Sequence, residues 1–305
     1  MRPTIKTVLD RYGVRKSPAQ KKAFREFLIS HSQTHDYEIL FQKYAKNGHN
    51  LIIGDPASAQ IFLTAHYDTP PDFFMPIVAS VGGIVPFTIS QLIPVIPLLA
   101  ILAILGRLIE NRLAANIVRE IFLLGLLGQM MFGVANKNNA NDNTSGVALL
   151  LILLEDLPKE LRDKACFVFF DDEEKGLIGS AKFKWAYKME AQKVPVINFD
   201  CIAHGKQFIF SAKKGFRTSR ANQSFQEALE KTFQGKDYSF GTAWRHIYTS
   251  DQLHFKKGLG VAAAHRLPFI GPVLNRIHTR RDVMFDEENI EALKELLTAF
   301  ISKLD

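Results

Sequence analysis

Residues 166–170 form an unbroken apolar run, CFVFF, that stops at four consecutive acids, Asp171, Asp172, Glu173 and Glu174. A strand this apolar has no face to offer to water, so it belongs inside a sheet covered on both sides. Residues 61–65 and 194–199 read the same way, and shorter β-like runs occupy 37–44 and 51–54. Helical patterns lie at 17–31, 144–157, 178–191, 224–233 and 287–304. The first opens on Ser17-Pro18-Ala19-Gln20, an N-cap, a proline at the first helical position and a capping-box partner. Strands alternating with helices predict an α/β fold: a three-layer αβα sandwich around a central mixed, mostly parallel β-sheet. Sites in such folds gather at the carboxyl ends of the strands.

A chain of 305 residues can bury a sizeable core, and residues 1–305 read as a single catalytic domain. The balance of 38 basic against 31 acidic residues gives a net charge of +7, a mild excess that would suit a phosphate-rich or membrane surface but more commonly serves solubility, and no nucleic-acid partner is expected. Cys166 and Cys201 both lie in apolar segments. They are expected to be small buried residues rather than a disulfide framework, which points to a reducing compartment. The first residues, MRPTIKTVLDRYG, carry no apolar core of signal-peptide length, so the catalytic domain is expected in the cytoplasm.

Each strand end carries a polar group that metals accept. Residues 61–65 run into His66-Tyr67-Asp68, residues 166–170 into the acidic run, and residues 194–199 into Asp200. Asn141-Asp142-Asn143 precedes the helix at 144, and Ile277-His278-Thr279 stands near the C-terminus. Taken singly, His66 reads as a hydrogen-bonded structural residue, Asp142 as a helix cap and the acidic run as a solvated loop. Convergence on one sheet edge changes that reading, because two imidazoles and several carboxylates match what Zn²⁺ accepts.

In order along the chain, AHYDT (65–69), NANDNTSG (139–146), FDDEEKGLIGS (170–180), INFD (197–200) and HTRRD (278–282) resemble the motifs of the M28 zinc aminopeptidases. The resemblance implies a zinc-exopeptidase fold and a co-catalytic pair of zinc ions. It implies that His66, Asp142 and Asp200 serve one zinc, and that His278, Glu174 and the bridging Asp142 serve the other. Asp68 would stand behind His66 and fix its tautomer, and Glu173 would be the general base. In an extended segment neighbouring side chains project to opposite sides, which would separate Glu174 as ligand from Glu173 as base. Charge agrees: two zincs bring +4, and Asp68, Asp142, Glu173, Glu174 and Asp200 bring −5. Asp171 and Asp172 are expected to be solvated or hydrogen-bonded loop acids.

The implied activity is hydrolysis of the N-terminal bond of a peptide with a free α-amine. Two alternatives stand beside it: a single-zinc acyltransferase like the glutaminyl cyclases, and a non-enzymatic peptidase-like binding protein. Two departures touch specificity. Asn139 replaces a usual glycine, and Gln252 in TSDQLHF (249–255) stands where a histidine is common. Trp244, Arg245, His246, Arg266, Arg276, Arg280 and Arg281 read as a solvated basic face.

The connection from Asp68 to Asp142 is far longer than the motifs require. Residues 73–106 carry no charged side chain, and neither do residues 121–136. A bilayer span needs ~20 mostly apolar residues, so residues 73–136 are expected to form an apolar helical insertion. Helices at about 88–108 and 113–135, turning at 109–112, would make a membrane hairpin despite Pro76, Pro86, Pro94 and Pro97. A lid over the site, or an arm that pairs two copies of the chain, would also use such a surface.

Overall fold

The computed structural model describes residues 1–73 and 77–304, so Pro76 lies outside the described residues. In chain order the elements are α1 (Pro3–Tyr12), α2 (Pro18–Thr34), β1 (Ile39–Lys43), β2 (His49–Ile53), β3 (Ile61–His66) and β4 (Val78–Ser80). Then come α3 (Ile84–Leu108), α4 (Arg112–Phe132), α5 (Thr144–Asp156), β5 (Ala165–Phe170), α6 (Ile178–Ala186), α7 (Lys188–Lys193) and β6 (Val196–Phe199). The remainder comprises β7 (Gln207–Ala212), α8 (Lys214–Arg217), α9 (Arg220–Thr232), β8 (Asp237–Thr242), β9 (Gly258–Leu267), β10 (Gly271–Asn275) and α10 (Glu287–Ser302). Ser17 and Gln20 form the capping box expected of α2, with Ser17 Oγ accepting from the Gln20 N–H at 3.2 Å.

One mixed sheet runs β1-β2-β5-β3-β6-β9-β10-β4, with β7 paired to β9 and β8 to β7. Parallel pairing is confined to the centre, where β5, β3, β6 and β9 lie side by side, and to β7 with β8. Both flanks are antiparallel, so the sheet is mixed, as expected, but not mostly parallel. The central strands are buried on both faces, and their side chains alternate between two cores. Leu63, Ala65, Phe167 and Phe169 pack under α1, α2, α5, α9 and α10. Phe62, Cys166, Val168 and Phe170 face Phe183 of α6 and Ala191 of α7. The fold is therefore a three-layer α/β architecture, and Cys166 and Cys201 are buried free thiols.

The helix expected over 178–191 is two helices, because the chain leaves helical geometry at Tyr187, where φ is −108° and ψ is 49°. The connection after Asp72 forms the short strand β4 and then two long helices, α3 and α4, joined at residues 109–111. Helix α3 begins four residues before the expected position, at Ile84, and Pro94 and Pro97 lie within it.

Candidate metal centre

The parallel register brings the site together. His66 of β3 lies level with Phe170 of β5, and Thr64 pairs with Asn198 two residues before Asp200. His66, the acidic run and Asp200 therefore leave the same edge of the sheet. Asp142 reaches that edge at the start of α5, whose N-terminus is capped by Asn143 Oδ1 accepting from the Gly146 N–H at 2.9 Å. A Cβ on Gly146 would lie 2.4 Å from the Phe199 carbonyl oxygen, so glycine is what lets α5 approach β6 this closely.

Two groups of ligand atoms meet at Asp142. His66, Asp142 and Asp200 form one, and Asp142, Glu174 and His278 the other, with the atoms of each within 4.8 Å of one another. His66 Nε2 lies 3.4 Å from Asp142 Oδ1 and 3.7 Å from Asp200 Oδ1. His278 Nε2 lies 3.0 Å from Asp142 Oδ2 and 3.6 Å from Glu174 Oε2. Glu173 and Glu174 also converge on His66. Burial pushes the Glu173 carboxyl well above its usual range, and burial likewise pushes Glu174 up to about 8. Burial would raise Asp142 too, but the two imidazoles hold it below the carboxylate range.

These residues fit a cation. Glu174 Oε1 and Asp200 Oδ1 are buried with no hydrogen-bond partner among the described residues. Buried polar atoms are almost always paired, and a desolvated carboxylate oxygen without a donor is strongly unfavourable. With the imidazoles of His66 and His278 beside them, these carboxylates constitute an O/N donor set suited to zinc.

Several local expectations need correction. Residues 173–176 are a turn rather than an extended segment: Asp172 has φ of 56°, and the N–H groups of Gly176 and Leu177 both donate to the Glu173 carbonyl. The turn points both glutamates into the cluster. Asp171 and Asp172 are hydrogen-bonded as expected but not solvated, since both are buried. The Lys21 ammonium of α2 pairs with Asp171 and, at 2.8 Å, with Asp172. Tyr44 Oη donates to Asp172 at 3.0 Å.

Asp68 does more than stand behind His66. Its Oδ1 lies 3.5 Å from His66 Nδ1, and its own backbone carbonyl lies closer, at 3.2 Å. The same carboxylate accepts the N–H groups of Glu173 at 3.0 Å and Glu174 at 3.2 Å, so it fixes imidazole and turn together.

Asn139 does not need glycine's freedom. It bridges the loop after β3 to the first residue of α5, with Nδ2 donating to Thr69 Oγ1 and Oδ1 accepting from Thr144 Oγ1. Gln252 is buried and structural: Nε2 donates to the Tyr248 carbonyl at 2.8 Å, and Oε1 accepts from Asn198 Nδ2 at 3.2 Å.

Four supporting residues were given no role in the sequence reading, although Asp251 and Asp282 lie within the quoted TSDQLHF and HTRRD segments. Lys21 lies on the apolar stripe of α2 with Phe24 and Leu28, and a cation at that spacing was the available signal. Arg15 is fully buried behind the site and donates to Thr144 Oγ1 at 3.2 Å; burial lowers its pKa to about 10. Asp282 accepts from the N–H groups of Asn141 and Asp142, both at 2.9 Å, tying the loop of His278 to the loop of Asp142. Asp251 is fully buried, neither carboxyl oxygen has a hydrogen-bond partner among the described residues, and burial pushes its pKa up to about 7.

The cluster opens into a cavity of about 360 Å³ walled by Tyr248, Thr249, Ile277 and Leu274, with Phe87 and Gln91 of α3 on another side.

The family model described as Peptidase family M28 matches residues 130–301, more than half of the chain. No curated protein sequence matches. Among solved structures, glutaminyl cyclase of Porphyromonas gingivalis is similar at 16% identity and a TM-score of 0.63, over 98% of this chain and 96% of that one. A leucine aminopeptidase precursor from Bacteroides thetaiotaomicron is similar at 16% identity and a TM-score of 0.59, over 99% and 95% of the two chains. Legionella pneumophila LapA aminopeptidase is similar at 14% identity and a TM-score of 0.57, over 98% and 69%. At these identities the likeness is one of fold.

Proposed function

The chain belongs to peptidase family M28, and from that premise we propose that it is an aminopeptidase holding two zinc ions and hydrolysing the first bond of a peptide. Asp200 Oδ1 carries the reading. It is buried, has no hydrogen-bond donor among the described residues and faces His66 Nε2 at 3.7 Å, so a cation between them satisfies both. A single ion held by Asp142, Glu174 and His278 would leave that oxygen orphaned.

His66, Asp142 and Asp200 would hold one zinc, and Asp142, Glu174 and His278 the other. When bound, zinc supplies a Lewis acid that polarises the scissile carbonyl and acidifies water. Glu173 is the carboxylate left over, and it takes a proton from the attacking water and returns it to the leaving amine. Asp68 holds the turn so that Glu173 keeps its aim. The surplus carboxylates of the cluster attract a free α-ammonium group. A cavity of about 360 Å³ is near the lower end of ligand pockets, ~300–1,000 Å³, and suits a terminal residue better than a through-running chain.

Calorimetric titration of the metal-free protein with Zn²⁺ tests the metal count. Two sites per chain are expected, falling to one in Asp200→Ala. One site that is indifferent to Asp200→Ala supports the cyclase-like alternative instead.

A further inference from the structure

Most of the large apolar side chains exposed among the described residues lie on α3 and α4. An 18-residue window of α3 has a mean hydropathy of 2.3 and is only 6% buried, unlike a core helix of a soluble protein. Its 25 residues span about 37 Å and the 21 of α4 about 31 Å, against a hydrocarbon core of ~30 Å.

Ile84, Leu92, Ile96, Leu99, Ile101 and Ile104 are all exposed, and at 100° per residue they spread round most of the circumference of α3. A helix apolar all round suits a surrounding apolar solvent; a flat protein partner would cover one side only. On the described residues of α3, α4 and their connection, exposed charges are restricted to Arg107, Glu110, Arg112 and Glu120, at the tip or within about 12 Å of it along α4. Arg119 is turned inward: Nε donates to the Leu102 carbonyl at 3.3 Å, and the guanidinium occupies the space beside Gly106, where a Cβ would lie 1.7 Å away. A charge satisfied by backbone inside a helix pair is how membrane segments retain one.

The two ends of the hairpin share one root. Pro71 bridges to Ala135, the Asp72 N–H donates to the Val134 carbonyl at 2.7 Å, and Ser90 Oγ accepts from the Ser80 N–H at 3.1 Å. Two surface hollows flank that root. Arg245, Arg266 and Phe269 line one with Gly83 and Pro86. Arg276 and Arg281 line the other with Asp72 and Ile77. Trp244, 80% exposed, and Phe269, fully exposed, complete a basic and aromatic collar. Aromatic rings favour the headgroup level, and arginines there attract anionic lipid.

We propose that the α3–α4 hairpin is inserted in an anionic lipid bilayer, and that the catalytic cavity opens at the bilayer surface. Phe87 and Gln91, on the first two turns of α3, wall the cavity that contains Asp142, Glu173 and Glu174. The inserted element is thus also part of the active-site wall, and substrates reach the metal centre along the membrane surface. The inference does not depend on which reaction the site performs.

Flotation of the purified protein with vesicles tests it with a readout that is independent of turnover. Phosphatidylcholine vesicles should carry the protein upward, and vesicles that also contain phosphatidylglycerol should carry more of it. Ile96→Asp/Leu99→Asp should reduce flotation by at least about tenfold, while circular dichroism and zinc binding report that fold and site are intact. Arg245→Glu/Arg266→Glu should still float but lose the preference for phosphatidylglycerol. Wild-type protein that stays at the bottom of the gradient, as a monomer or as a dimer stable without detergent, overturns the proposal. So does a double-aspartate variant that floats like wild type, or a collar variant that keeps the lipid preference. If the aspartate pair prevents folding, the wild-type and collar measurements still decide.

Discussion

Glu173 lies 105 residues from Asp68 in the chain, yet its backbone N–H is held by that carboxylate, and Glu174 is held by the other oxygen of the same group. Fixing the turn fixes two adjacent side chains to which the proposed mechanism gives different roles. Glu173→Gln should keep metal affinity near wild type and lower kcat by ~10²–10⁴; calorimetry and steady-state kinetics check both halves. Unchanged turnover with full metal content would remove Glu173 from the mechanism. Away from the site, His204 Nε2 and His265 Nε2 share a hydrogen bond at 2.9 Å, one ring donating and the other accepting. Burial, the His265 ring and Arg276 lower His204 from 6.5 to about 4. The unfolded chain therefore binds the proton more readily, so stability is full above pH 6.5 and is lost as pH falls from there towards 4. Thermal melts of the metal-free protein should show a smaller drop between pH 7 and pH 5 in His204→Gln than in wild type. An equal drop would place the acid sensitivity elsewhere. His66, Asp142, Glu174 and Asp200 were legible because each follows an apolar strand or precedes a buried helix, whereas His278 was marked by the HTRRD motif. Lys21, Asp251 and Asp282 were not, because their importance comes from partners 100 or more residues away or from burial that no local pattern announces.

At the scale of elements, α2 and the end of β5 are joined by a buried ion cluster. Lys21 is 3% exposed and Asp171 fully buried, and the ammonium offsets two carboxylates directly before the turn of Glu173 and Glu174. Removing one partner of a buried pair typically costs about 3–5 kcal/mol, because the other charge is left uncompensated. Lys21→Ala should lower stability by that order in urea unfolding and also lower kcat, since Asp171 and Asp172 lead straight into Glu173. A loss below about 0.5 kcal/mol would mean that water enters and solvates the acids. The central strands were readable from uninterrupted apolar runs, whereas β9 was not. Its sequence, GLGVAAAHRL, is rich in glycine and alanine, which have low strand preference. Pairing with β6 on one side and β7 on the other makes it a strand. The break between α6 and α7 was equally invisible, since the apolar spacing continues across Tyr187.

For the whole molecule, the ordered motifs gave the family and the α/β class, while the balance of parallel and antiparallel pairing depends on strands that have no strong pattern of their own. The long insertion between Asp68 and Asp142 was visible as two uncharged runs, but its contribution of Phe87 and Gln91 to the cavity wall needed the three-dimensional arrangement. The central claim concerns the reaction at this wall, and one measurement addresses it directly. Purified zinc-loaded protein is incubated with matched peptides bearing free or acetylated N-termini, including one that begins with glutamine, and the products are identified by mass spectrometry. The account predicts release of single N-terminal residues from the free peptides only, abolished by chelation and restored by zinc. Peptides of unshortened length, with the glutamine peptide converted to its pyroglutamyl form, would contradict it.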